Sequence, residues 1–196
     1  MRSDFFKREA PLVLWYVIGF ILVLIASCEF YALKTGVPTV TSNPSARRKM
    51  IELLKEEAAL RTRERPFTIL DLGSGTGKLA LEIGRALPSA RVVGLEISLV
   101  PYLLSLLRQR IWGLFWATAN VAYKREDFWP YDLSGVDAVV IFINGNIRER
   151  MAAKLKAALP SGALVISNET HLPDWTPLAT HTVGLLKLKV VVYRQA

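Results

Sequence analysis

The sequence predicts an α/β fold: a mostly parallel sheet of seven strands with an antiparallel edge strand, preceded by one transmembrane helix. Three observations predict it. Asp71-Leu72-Gly73-Ser74-Gly75-Thr76-Gly77 lies between a short apolar run and a helical pattern, the form of a strand, a tight turn and a helix. Short apolar runs alternate with helical periods from residue 67 onward, and the last two runs flank Gly184 as a hairpin. Residues 10–28 carry no charge at all. With 196 residues, the chain holds one domain of ordinary size and an appendage. It divides into a tail and transmembrane helix (1–36), a linker and amphipathic helix (37–66), and a ligand-binding domain (67–196).

The uncharged run, extended by residues 30–33 beyond Glu29, is long enough at 1.5 Å per residue for a hydrocarbon core of about 30 Å. Trp15, Tyr16 and Tyr31 stand near its ends, where aromatic anchors belong. Processing signals compete with this reading. Basic residues before an apolar run resemble a secretory signal, and Ile25-Ala26-Ser27-Cys28 resembles a lipoprotein cleavage box that would acylate Cys28. The expectation is an uncleaved anchor. Arg2, Lys7 and Arg8 before the run nearly match Lys34, Arg47, Arg48 and Lys49 after it, so charge does not set orientation.

A linker over 35–44 holds Gly36, Pro38 and Pro44. An amphipathic helix over 45–65 follows, with Met50, Ile51, Leu54 and Ala58 on one face and Asn43 as its cap. Pro66 stops it. The strand 67–70 ends in Asp71, a helix covers 78–86, and a buried strand over 91–95 ends at Glu96. The helix predicted over 100–117 has more apolar side chains than one sheet-facing stripe uses. Either it is well buried under a hydrophobic cap, or it contacts a membrane with Trp and Arg at headgroup level. Strands over 121–124 and 137–143, a helix over 147–159 and a strand over 163–167 come next. The final strands lie at 179–183 and 186–194.

Spacing narrows the ligand of the glycine turn. A phosphate-binding P-loop needs glycine at Leu72 and a hydroxyl at Leu79, and the dinucleotide fingerprint needs a third glycine at Lys78. What remains is Asp-x-Gly-x-Gly-x-Gly. It resembles the first motif of class I S-adenosylmethionine (SAM) dependent methyltransferases, whose cofactor carries no phosphate. Glu96 stands 23 residues after Gly73 (96 − 73), where an acid ending the second strand accepts both ribose hydroxyls.

The resemblance extends beyond that motif. Val37-Pro38-Thr39-Val40-Thr41-Ser42 follows the apolar run, and Val93-Gly94-Leu95-Glu96, Asp127-Phe128-Trp129 and Trp175-Thr176-Pro177 come later. Together these resemble the small membrane-anchored lysine methyltransferases that modify the ATP synthase c subunit or the adenine nucleotide translocase, and their prokaryotic relatives. The resemblance implies a Rossmann-like seven-stranded sheet and SAM as cofactor. It assigns SAM binding to Asp71, Gly73, Ser74, Gly75, Gly77, Glu96 and Ile97. Thr41 or Ser42 would contact the SAM carboxylate or close over the site. Asp127, with Glu126 as alternate, would accept the adenine amino group while Phe128 meets the ring. Asn144 and Glu169 are the candidates for handling the acceptor amine, with His171 nearby. Two departures stand out: Thr76 replaces a frequent acid, and Asn168-Glu169-Thr170-His171 replaces a more apolar segment.

Net charge is +8, and residues 37–66 contribute +3 of it, seven Lys/Arg against four acids. Beside a membrane segment such a face suits anionic lipid rather than nucleic acid. One cysteine excludes an internal disulfide, and with two histidines no zinc site is expected. The expected function is methylation of a lysine in a membrane-embedded protein, with the domain on the cytoplasmic side, where SAM is kept. Two alternatives stand: methylation of a lipid headgroup or membrane-dissolved small molecule, and a membrane-tethered SAM-binding protein with no activity.

Overall fold

The computed structural model describes residues 14–16, 18–19, 43–61, 65–143 and 145–196. Helix α1 (Pro44–Ala59) starts as its sequence implies, with the Asn43 side chain accepting the Ser45 N–H at 2.9 Å. Then come β1 (Thr68–Leu72), α2 (Lys78–Ala86), β2 (Arg91–Leu95), α3 (Leu99–Gly113), β3 (Val121–Lys124) and β4 (Ala138–Ile141). A 3-10 turn (Gly145–Ile147), α4 (Arg148–Ala158), β5 (Leu164–Asn168), β6 (Ala179–Val183) and β7 (Leu188–Arg194) complete the chain.

The seven strands form one sheet in the order β3-β2-β1-β4-β5-β7-β6. All pairings are parallel except those of β7 with β5 and with β6. β4 is apolar throughout, and β1 and β5 are largely so apart from Thr68, Asp71, Ser167 and Asn168, because both of their faces are buried. Leu70, Leu72, Val93, Val139 and Val165 face one way, with α4 (Met151, Leu155) and the loop residues Phe128, Leu133 and Leu172 over them. Ile69, Val92, Val140 and Ile166 face the other way, under α1 (Met50, Leu54) and α2 (Leu81, Ile83). No helix joins β3 to β4 or β5 to β6; loops cover those positions.

Several expectations need correction. The antiparallel strand is not at the edge: β7 is inserted between β5 and β6, because a hairpin partner of β6 also completes the free side of β5. Asp71 lies inside β1 rather than ending it. The helix expected to reach residue 65 stops at Ala59, where the Arg61 guanidinium turns back to Glu57, Asp137 and the Gly162 carbonyl. Asp137 is outside β4, held by the Thr68 N–H and Arg65. Strand β5 begins one residue late and extends to Asn168, whereas β7 begins at Leu188 after a turn with Gly184 and Lys187 at positive φ. Helix α3 is not well buried: of its residues only Pro101 and Ser105 are. It lies over the β3 edge, where no further element among the described residues covers its outer side. The expected transmembrane helix falls largely outside the described residues; among those described, no helix is long and apolar enough to cross a membrane.

Candidate cofactor site at the sheet edge

In open α/β sheets ligands bind beyond the C-terminal ends of the parallel strands. Here that edge is formed by β1, β2, β4 and β5, and the glycine turn crosses it. Gly73, Gly75 and Gly77 have φ of 77°, 54° and 74°, left-handed values that glycine alone adopts at little cost. The Gly73 and Ser74 N–H groups both donate to the Leu95 carbonyl, at 3.0 and 2.9 Å, which ties the turn to the end of β2. Beneath the turn, the Tyr123 hydroxyl of β3 donates to the Gly77 carbonyl. Arg108 of α3 donates to both the carbonyl and the hydroxyl of Thr76, each at 2.7 Å. Thr76 is therefore held by a cation.

Two carboxylates back the turn. Glu96 Oε2 accepts the Gly75 N–H at 3.0 Å and Oε1 accepts the Ser98 N–H at 2.7 Å. Each oxygen keeps a lone pair for a ligand. Asp71 is enclosed, and burial pushes its carboxyl up to about 7; the negative charge of Glu96 adds to the rise, and a hydrogen bond from the Ala80 N–H opposes it. Asp71 Oδ2 and Ser74 Oγ have no partner. Neither do Ser167 Oγ and Asn168 Oδ1 at the end of β5. Among the described residues five buried side-chain polar atoms lack a partner, and these four share the ligand edge. Buried polar atoms are normally satisfied, so a cluster of exceptions marks a place where a ligand completes the bonding. The two serine hydroxyls can donate or accept, whereas the two carboxylates and the Asn168 amide oxygen suit a ligand with donors and positive charge. They oppose a phosphate.

The structure thus brings Asp71, Gly73, Ser74, Gly75, Gly77, Glu96 and the half-buried Ile97 together. Phe128 is buried in the core, tilted against Trp129 at 5.0 Å. Asp127 is exposed, its Oδ1 accepting the Trp129 N–H at 2.9 Å; Glu126 is also exposed and lies 3.6 Å from Lys124. Glu169 is exposed too. Its N–H donates to the Lys189 carbonyl at 2.8 Å and its carboxylate accepts the Lys189 N–H, so it extends the β5–β7 ladder. His171 is exposed. Thr41, Ser42 and Asn144 lie outside the described residues. Sequence reasoning missed Tyr123, Arg108 and Asn168. For Asn168 a signal existed: it is the polar residue that closes an apolar strand.

The model of the ANTKMT methyltransferase domain matches residues 71–179. Adenine nucleotide translocase lysine N-methyltransferase from Mus musculus is 34% identical over 117 residues, 60% of this chain and 49% of that protein. Release factor glutamine methyltransferase from Escherichia coli (strain K12) is 32% identical over 116 residues, 59% of this chain and 39% of that one. The chain thus spans about half the length, or less, of these curated relatives. Among solved structures, an RNA methyltransferase from Salinibacter ruber in complex with S-adenosyl-L-homocysteine shares the fold, with TM-score 0.67 and 21% identity over 79% of this chain and 93% of that one. The match over more than half of the chain bears out the resemblance read from the motifs, and the chain belongs to the ANTKMT methyltransferase domain family of class I SAM-dependent methyltransferases.

Proposed function

We propose that this chain methylates the ε-amine of a lysine in a membrane-embedded protein, using SAM. The observation that carries SAM binding is the pair of unpartnered buried atoms at the glycine turn, Asp71 Oδ2 and Ser74 Oγ, together with the Glu96 carboxylate behind it. They fit a ligand with an ammonium group and two ribose hydroxyls. Asp71 and the Gly73–Gly77 turn would hold the methionine end, and the free lone pairs of Glu96 the ribose. Ile97 and Phe128 would flank the adenine, Asp127 would accept its amino group, and Thr41 and Ser42 would close the site. Bound there, SAM supplies an electrophilic methyl group on a sulfonium sulfur.

The chain's own part is to align the acceptor and keep it unprotonated. A free lysine has a pKa of about 10.4. Burial favours the neutral amine, while a carboxylate beside it favours the ammonium. Asn168 meets this need better than Glu169. Its amide oxygen is buried, neutral and unpartnered, whereas the Glu169 carboxylate is exposed and bonded to Lys189. Asn144 would serve as a second amide. The lysine acceptor is supported by the mouse relative, named for a lysine N-methyltransferase. The membrane setting is supported by the uncharged residues 10–28; the domain would lie on the cytoplasmic side because SAM is kept there.

The test is transfer of labelled methyl from SAM by the full-length chain on native membranes. The expected label is in protein and is recovered as methyl-lysine after hydrolysis. Label in extracted lipid would put a headgroup in place of the lysine. Absence of label with SAM still bound would leave a binding protein without activity.

A further inference from the structure

Helix α3 presents an apolar stripe to the outside. Leu103, Leu107 and Ile111, each a turn apart, are 51%, 54% and 49% exposed. Past the helix end, Leu114 and Phe115 continue the stripe, and Leu99 begins it. Its other side is spent on the protein: Tyr102, Leu106 and Trp112 pack on the core. Fifteen residues at 1.5 Å each make the stripe about 22 Å long. Contiguous exposed apolar surface of this kind marks an interaction site.

Charge selects the occupant. Residues 97–125 contain Arg108, Arg110, Lys124 and Arg125 and no acid. Arg110 is exposed beside Ile111 in the last turn. Lys124 is paired with Glu126, but α3 itself has no acid, so a second copy seated on the stripe would bring Arg110 against Arg110 with no carboxylate between them. Arg108 is bonded to Thr76, and for the rest an anionic bilayer surface offers both apolar depth for the leucines and negative charge for the exposed Arg110. The rest of the chain agrees. The uncharged residues 10–28 have bilayer length, and a linker of about ten residues after them reaches only roughly 15–20 Å.

We propose that α3 lies flat on the anionic surface of the membrane, with its stripe at the boundary of headgroups and acyl chains. The stripe starts directly after Ser98, whose N–H is bonded to Glu96. Docking it therefore sets the cofactor edge beside the bilayer surface, where a lysine on a membrane protein can enter from the side. The inference deepens the proposed membrane acceptor and takes its purpose from that reading, but its test needs no methyl transfer.

The test uses the full-length chain with Cys28→Ser and Leu107→Cys, carrying a polarity-sensitive dye at the new thiol. Because Leu107 is half exposed, the dye stays outside the core. The protein is placed in vesicles of about seven parts phosphatidylcholine to three of phosphatidylglycerol. Expected are a blue shift and strong quenching by lipids brominated high on the acyl chain. The same dye at Lys156→Cys, exposed on α4 across the sheet, is quenched several-fold less. Arg110→Glu weakens the quenching in these vesicles and leaves it unchanged in phosphatidylcholine alone. Equal quenching at both dye positions overturns the proposal. So does a Leu107→Cys disulfide that grows with protein concentration, which assigns the stripe to a second copy. A blue shift without bromolipid quenching overturns it in favour of residues 10–28 as the cover. Lost SAM binding with quenching intact would sink the enzymatic reading and leave the docking surface standing.

Discussion

Asp71 and Asn168 share one feature: each has a buried side-chain oxygen, Oδ2 and Oδ1 respectively, with no hydrogen-bond partner in the protein. For Asp71 the consequence is a pH dependence. Its carboxyl is raised from 3.8 to about 7, mainly by burial and then by Glu96. Within that window the folded chain holds a proton that the unfolded chain has released, so stability is full below about 3.8 and falls as pH rises through about 7. The span of the shift makes this at most a few kcal/mol. Asp71→Asn should therefore raise the ligand-free melting temperature at pH above 7, match the wild type near pH 4, and weaken SAM binding. Parallel melting curves across the range would show that this carboxyl does not ionise against folding. For Asn168 the consequence is kinetic. In the proposed lysine methylation, Asn168→Asp would place a carboxylate where a neutral acceptor stood and favour the ammonium form of the substrate. The rate at neutral pH should drop about tenfold or more and recover at alkaline pH, while Asn168→Ala loses rate with no shift in profile. An unchanged profile in the aspartate variant would remove Asn168 from the amine's surroundings. Asp71 and Glu96 were legible in the sequence because each follows an apolar run beside glycine. Asn168 carried a weaker signal, a polar residue closing an apolar strand, and burial is what separates it from Glu169 next to it.

At the scale of elements, the glycine turn shows how packing and backbone conformation divide. Gly75 and Gly77 both have positive φ. A Cβ at Gly75 would meet open space, whereas one at Gly77 would sit 2.5 Å from the Tyr123 ring and 2.7 Å from Ser105. Gly75→Ala carries only the left-handed penalty of about 1–2 kcal/mol. Gly77→Ala carries that and must also displace β3's tyrosine and its bond to the Gly77 carbonyl. Urea denaturation should show the larger loss at Gly77; equal losses would mean that conformation alone decides. The elements around the turn were legible where local pattern and tertiary role agree. Helix 78–86 and the strands 91–95, 121–124 and 179–183 match their sequence bounds. They diverge where a distant partner intervenes. Nothing local before Pro66 ends α1; Arg61 ends it by reaching Asp137 and Gly162. The apolar excess of α3 implied burial equally with exposure, since sequence does not say that the helix caps an outer strand.

The molecule as a whole has two unlike ends. The C-terminal edge of the sheet carries the unmet acceptors, while at the opposite edge the charges are matched. Glu57 takes Arg61 at 2.6 Å and both Arg194 Nη atoms at 2.8 and 3.0 Å, which joins α1 to β7. Asp137 takes Arg65 twice, at 2.8 and 3.0 Å, and the Thr68 N–H at 2.9 Å, which joins the start of β4 to that of β1. The Arg194 hydrogen bonds, with help from Arg61, hold the Glu57 carboxyl below its usual value against the opposing effect of burial. Its contribution is therefore present above about 4.5 and lost as pH falls further, the reverse of Asp71. Removing one member of a fully buried ion pair costs about 3–5 kcal/mol, and of a surface pair about 0–1. Arg194 is 39% exposed and keeps the Gly162 carbonyl, and Arg61 keeps Asp137. Glu57→Gln should thus cost about 1–2 kcal/mol at neutral pH, between those limits. The difference from wild type should shrink toward zero in acid. SAM affinity should be unchanged, because the network stands at the far end of the strands from the glycine turn. A Glu57→Gln chain that keeps its stability and loses SAM binding would show that the two edges are coupled through the sheet.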